Sequence, residues 1–146
     1  MPHEHLLDRA APVRLGAHVG DDRDDRLSPA EAAHERREVG ADPTGHAEMY
    51  ALREGGQRLR TVDLAGCTLY SSLEPCPMCC WATIQSNVTR LVLGGRHAAL
   101  GSPGLGRYSV ESLLEFTGRT LELVTGIRAT ESEALRREWN AVRTVK

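Results

Sequence analysis

Residues 68–79 read TLYSSLEPCPMC, and this stretch decides how the chain is organised. The part from Cys67 to Leu73 alternates and is rich in β formers, which predicts a strand. Pro75 ends that strand, and a helix is predicted from about Cys76 to Ser86. Cys76 and Cys79 then share one face of the first helical turn, where the positive end of the helix dipole favours thiolates over thiols.

A second motif, His46-Ala47-Glu48, lies about 25 residues earlier. It adds one imidazole and one carboxylate to the two thiols. Two residues apart on a helix, His46 and Glu48 point in different directions, so we interpret Glu48 as a proton carrier beside the metal and not as a ligand. Three protein ligands with an open fourth position are typical of catalytic zinc. One zinc ion per chain is therefore predicted at His46, Cys76 and Cys79, with Glu48 able to take a proton from bound water.

A closed structural zinc site is the alternative, with Cys80 as the fourth ligand. Neighbouring residues on a helix point about 100° apart, which makes a Cys79–Cys80 pair awkward. Cys80 and Cys67 are predicted to be small core residues. A zinc-stabilised interaction module without turnover stays open as a second class of function.

Composition limits the remaining possibilities. The chain has 146 residues and a net charge of −2, which predicts one domain over residues 1–146 and disfavours a long polyanion as partner. Three of its four cysteines fall within five positions, which suits a metal site better than a disulfide framework. No signal peptide or membrane-spanning run is evident, so a cytoplasmic protein with no membrane partner is expected.

Strand and helix patterns alternate along the chain, which predicts an α/β sandwich with a partly parallel sheet. A helix is predicted from Asp42-Pro43 to about Glu54, ended by Gly55-Gly56. Residues 89–93 form an apolar run typical of a strand covered on both faces. Residues 94–106 are predicted to be a glycine-rich loop. His97 lies there, just beyond a strand end, where ligand contacts concentrate.

Residues 42–49 (DPTGHAEM) and 68–79 together resemble the cytidine/deoxycytidylate deaminase superfamily. The closest resemblance is to the branch of tRNA adenosine deaminases, guanine deaminases and fungal-type cytosine deaminases. It implies a three-layer α/β/α sandwich with a five-stranded mixed sheet, and a homodimer. It also implies that His46, Cys76 and Cys79 bind zinc and that Glu48 shuttles protons. The backbone N–H of Ala47 would meet the substrate.

Departures from the family pattern bear on the substrate. An Asn that touches the substrate in much of this branch falls at Glu35, where a carboxylate could accept hydrogen bonds from a base's amino group. Trp139 is a candidate to cover the substrate by stacking, as an aromatic residue near the C-terminus does in several base-specific deaminases. The basic tail helix of the tRNA-acting members is short here. We therefore expect a free nucleobase or nucleoside of guanine or cytosine type, with a tRNA adenosine as the alternative.

Overall fold

The computed structural model describes residues 17–21, 41–102 and 104–144; for 17–21 and 142–144 it describes the backbone alone. The described residues form four strands and five helices. In chain order these are β1 (Ala17–Asp21), α1 (Ala47–Leu59), β2 (Cys67–Leu73), α2 (Pro77–Gln85), β3 (Arg90–Gly95), α3 (His97–Leu100), α4 (Val110–Thr117), β4 (Glu122–Val124) and α5 (Ala129–Thr144).

The strands form one mixed sheet in the order β1-β2-β3-β4. β1 pairs with β2 antiparallel, whereas β2, β3 and β4 are parallel. The predicted strands at residues 67–73 and 89–93 are confirmed as β2 and β3. The predicted loop over residues 94–106 is wrong at its start, because β3 continues through Gly94 and Gly95 and α3 follows at His97–Leu100. The mixed sheet is confirmed as well. The described residues contribute four strands to this sheet. The fifth strand of the predicted five-stranded sheet stays a prediction.

Helices cover both faces of the sheet. Leu69, Leu91 and Leu93 share one face, and they pack there in a buried core with residues of α1, α2 and α4. Side chains alternate along a strand, so Gly94 faces the other way. A Cβ at Gly94 would lie 2.6 Å from Oγ of Ser132, which places α5 against that second face. The sheet therefore lies between helical layers.

Helix α1 differs from its predicted bounds at both ends. Asp42 does not cap it; the Asp42 carboxylate accepts the backbone N–H and the hydroxyl of Thr44, which closes a turn before the helix. The helix also continues through Gly55-Gly56 to Leu59, and its C-cap Arg60 adopts a left-handed conformation (φ 54°). Each glycine costs a helix about 1 kcal/mol, an amount that tertiary packing can offset. A Cβ at Gly56 would lie 3.0 Å from the Thr61 carbonyl oxygen, so the glycine fits a close approach.

Parallel pairing brings the carboxyl ends of β2 and β3 to the same edge of the sheet. At that edge the N–H of Glu74 donates to the Gly95 carbonyl at 2.8 Å. Helix α2 starts three residues later, and the start of α1 lies beside it, since the two helices pack together. The two sequence motifs therefore meet at one place. None of the helices in the described residues is long and apolar enough to cross a membrane.

Candidate metal centre and active site

Two helix starts supply the metal-ligating side chains. His46 is the N-cap of α1 and Cys76 is the N-cap of α2, both with extended backbone (ψ 149° and 168°). Neither side chain caps its own helix. Pro77 opens α2, where its missing N–H leaves no helical bond unmade. Cys79 follows one turn later, and the Cys80 N–H closes that turn on the Cys76 carbonyl at 2.8 Å.

The three predicted ligands come together in the structure. Sγ of Cys76 lies 3.6 Å from Nδ1 of His46 and 3.6 Å from Sγ of Cys79. One ligand atom from each residue lies within 4.8 Å of the other two. Cys79 is buried and the other two are half-buried. Two thiolates and an imidazole form a donor set that zinc prefers, so these residues are positioned to bind one zinc ion.

The thiols of Cys76 and Cys79 differ in their pKa values. Hydrogen bonding from Cys79, with a smaller contribution from His46, lowers the pKa of Cys76 to about 4. The same hydrogen bond, together with burial, raises the pKa of Cys79. Lowering the pKa of Cys76 favours its thiolate, and the thiolate is the form of cysteine that binds zinc.

Glu48 lies beside this cluster. Its carboxylate oxygen Oε1 is 3.2 Å from the hydroxyl of Ser71 on β2. Burial raises the pKa of Glu48, and the negative charge of Cys76 adds to the effect. Glu48 in turn contributes to the raised pKa of Cys79. A carboxyl with a raised pKa at a metal centre has the properties of a proton carrier.

Cys80 is not part of the metal-ligand group. It is fully buried in the hydrophobic core, as is Cys67, in agreement with the prediction for both residues. Within the described ranges the only group of three or more candidate ligands is His46, Cys76 and Cys79. The described side chains therefore assemble three ligands and do not form the closed site in which Cys80 is the fourth.

The sequence analysis assigned no role to Glu74, which lies at the corner between β2 and α2. The Glu74 side chain is 1% exposed. Its two oxygens accept the backbone N–H groups of His97 and Val110, each at 3.0 Å. These are the first residues of α3 and α4, where N–H groups lack partners within the helix. The sequence feature that could have indicated this is a carboxylate placed between an apolar strand and a proline turn.

The structure places three of the remaining candidate residues, and none of their predicted substrate contacts is tested. Ala47 is the first residue of α1, between His46 and Glu48, and its side chain is buried. His97 is the first residue of α3, its Nδ1 lies 3.1 Å from the Ser102 hydroxyl, and burial lowers its pKa. Trp139 lies in α5 and is 41% exposed. Glu35 lies outside the described residues. Substrate contacts at Ala47, Glu35 and Trp139 stay predictions.

Comparison with known proteins agrees with this geometry. A model of the cytidine and deoxycytidylate deaminase zinc-binding region matches residues 11–95. The chain is 38% identical over 93 residues to the tRNA-specific adenosine deaminase of Haemophilus influenzae. That alignment covers 64% of this chain and 53% of the relative, so the chain spans about half the length of the relative.

Solved structures add two further likenesses. The guanine deaminase from Nitrosomonas europaea superposes with a TM-score of 0.69 at 34% identity, over 86% of this chain and 71% of that one. A structure from a study of A-to-I editing by tRNA:A34 deaminases superposes with a TM-score of 0.64 at 28% identity, over 81% of each chain.

Proposed function

The chain belongs to the family of the cytidine and deoxycytidylate deaminases, and on that premise we propose that it is a hydrolytic deaminase of an aminated purine. The observation that carries the proposal is the pairing of a three-ligand metal cluster with a carboxylate whose pKa is raised by burial. A structural zinc site needs four protein ligands and no proton carrier. The arrangement of the described residues suits turnover better than a role in stability alone.

In this proposal His46, Cys76 and Cys79 hold the zinc ion. When bound, zinc supplies a Lewis acid that activates water at an open coordination position. Glu48 would take one proton from the water and pass it to a ring nitrogen while the water oxygen adds to the carbon that carries the amino group. It would then take the second proton from that new hydroxyl and give it to the amine, so that the C–N bond breaks as the carbonyl forms. Water and the amino group are consumed, and a carbonyl and ammonia are formed. The backbone N–H of Ala47 would orient the base at the start of α1.

The first candidate substrate is an adenosine in a tRNA anticodon. The support is the 38% identity to the H. influenzae protein, which is named as a tRNA-specific adenosine deaminase. The second candidate is guanine, favoured by the likeness to the N. europaea guanine deaminase. Both are aminated purines. The relatives thus favour the tRNA alternative over the free base or nucleoside that the sequence led us to expect, and cytosine has less support.

Ammonia release by the zinc-loaded protein tests this proposal. The panel is an anticodon stem-loop with adenosine at the wobble position, the same stem-loop with guanosine there, free adenosine, guanine and cytosine. We expect ammonia and inosine from the adenosine stem-loop, and nothing from free adenosine. Conversion of guanine to xanthine alone would select the second candidate. Ammonia from cytosine alone would refute the purine assignment. If a folded, zinc-loaded protein releases no ammonia from any member of the panel, the proposal that it deaminates one of these substrates is wrong.

A smaller prediction concerns Ser71, whose hydroxyl lies 3.2 Å from Glu48 and 2.6 Å from the Leu73 carbonyl oxygen. Ser71→Ala removes a side-chain partner of Glu48, so the carboxylate loses orientation. Hydrogen bonds to charged groups contribute about 1.5–3 kcal/mol, from which we expect kcat to fall roughly tenfold or more. KM and zinc content should change little, and Ser71→Thr, which keeps a hydroxyl, should recover most of kcat. An unchanged kcat in Ser71→Ala would show that Ser71 does not orient Glu48.

A further inference from the structure

Glu74 joins three parts of the chain at one buried carboxylate. It directly follows β2, it accepts N–H groups from the first residues of α3 and α4, and it lies 3.4 Å from Nη2 of Arg96. Buried charges are tolerated only when they are paired and hydrogen-bonded, and Glu74 meets both conditions. Because it precedes Cys76 by two residues, whatever fixes Glu74 also limits the movement of the metal ligand.

Tyr108 makes a second attachment to the same corner. Its hydroxyl donates to the Pro75 carbonyl at 2.6 Å. Burial raises the pKa of Tyr108, so the phenol keeps its proton and stays a donor. Pro75 directly precedes Cys76. The backbone before Cys76 is thus held by Glu74 and Tyr108, and the backbone after it by the Cys80 N–H in α2.

We propose that Glu74 and Tyr108 are positioning residues for the metal ligand Cys76, fixing its backbone against the starts of α3 and α4 so that its sulfur stays within reach of His46 and Cys79. Neither residue is a ligand or touches the reacting atoms. The inference rests on the metal site and not on the identity of the substrate. Residues that orient metal ligands through hydrogen bonds typically change metal affinity by about 10–100-fold when they are replaced.

Two substitutions separate this function from general stability. Glu74→Gln keeps the shape, but an amide has one acceptor oxygen, so one of the two N–H groups from His97 and Val110 loses its partner. Tyr108→Phe removes the hydroxyl alone, and with it the bond to the Pro75 carbonyl and the interaction with the Cys80 thiol. Glu111→Gln is the matched control, because Glu111 also contacts Arg96, at 2.6 Å, yet its side chain is 53% exposed.

The measurement is the zinc dissociation constant of each folded variant, determined by competition with a chelator at a temperature where circular dichroism shows native structure. We expect Glu74→Gln and Tyr108→Phe to weaken zinc binding by about tenfold or more, and Glu111→Gln to bind as the wild type does. If Glu74→Gln does not fold, Tyr108→Phe alone decides. A folded Tyr108→Phe with wild-type zinc affinity would overturn the proposal for Tyr108, and the same result in Glu74→Gln would overturn it for Glu74. No substrate is needed, so failure here is distinct from failure of the proposed deamination.

Discussion

Replacing Glu48 by Gln should lower kcat of deamination by about 10³-fold while the protein keeps its zinc, because general acid–base catalysis contributes roughly 10²–10⁴-fold. Gln has the same shape as Glu but cannot take a proton from water or pass one to a base. The amide can still accept the hydrogen bond from Ser71. We therefore expect the fold and the metal site to survive. The measurement is single-turnover ammonia release, with zinc content determined on the same sample.

Glu54→Gln is the control for this variant. Glu54 lies on the same helix, α1, but it pairs with Arg58 at 2.6 Å and its side chain is 38% exposed. Its replacement should leave the rate unchanged. A Glu48→Gln protein that deaminates at the wild-type rate would exclude Glu48 as the proton carrier. Loss of zinc in that variant would make Glu48 part of the metal site instead.

The second large effect is expected from Cys79→Ala, which should lose zinc and stability together. Cys79 is fully buried and contributes one of two sulfurs to the three-ligand cluster. A ligand that binds only the folded state stabilises it by about 2.7 kcal/mol when present at 100 times its dissociation constant. Wild-type protein should therefore melt at a lower temperature after zinc is removed by a chelator. Cys79→Ala should already melt low and should not respond to zinc or chelator.

The adjacent cysteine offers a close control. Cys80 is also fully buried in the hydrophobic core, but it is not one of the three side chains positioned to bind the metal. Cys80→Ala should lose some stability, as core truncations do, and still bind one zinc ion per chain with an unchanged response to the chelator. Zinc loss in Cys80→Ala, or normal zinc content in Cys79→Ala, would mean that the ligand set is wrong.

Cys76 and Cys79 could be predicted as a pair from the sequence because their geometry depends on local structure, whereas His46, 30 positions before Cys76, was identified through its own motif. Cys76 and Cys79 are one helical turn apart, and a strand that ends in a proline corner places that turn at the edge of the sheet. The strand at residues 67–73 and the helix after it were both predicted and are both present as β2 and α2. Local propensity and hydrophobic pattern agree in this region, which makes such a prediction reliable.

Other features depend on partners distant in the chain and were not predictable. Glu74 accepts hydrogen bonds from residues 23 and 36 positions later, and Ser71 contacts a residue 23 positions earlier. No local sequence pattern indicates such contacts. Helix α3 was missed for a related reason, since its four residues follow two glycines in a stretch that local composition assigns to a loop. The glycine pair in α1 was misjudged because tertiary packing there outweighs helix propensity.

Net charge does not decide the substrate. A value of −2 averages over the whole chain and does not describe the surface beside the metal centre. Of the proteins compared, the H. influenzae relative is named for tRNA, while the N. europaea structure is a guanine deaminase. The choice between a polynucleotide and a free base therefore depends on surfaces that local motifs do not specify.

The most direct test of the central claim is ammonia release from the adenosine anticodon stem-loop and from guanine, measured with zinc-loaded wild type and with zinc-loaded Glu48→Gln. We predict ammonia from one of these purines with the wild type, and a loss of about 10³-fold in Glu48→Gln at equal zinc content. Equal rates in the two proteins, or no ammonia from either purine with a folded, zinc-loaded wild type, would contradict the assignment of this chain as a purine deaminase that uses Glu48.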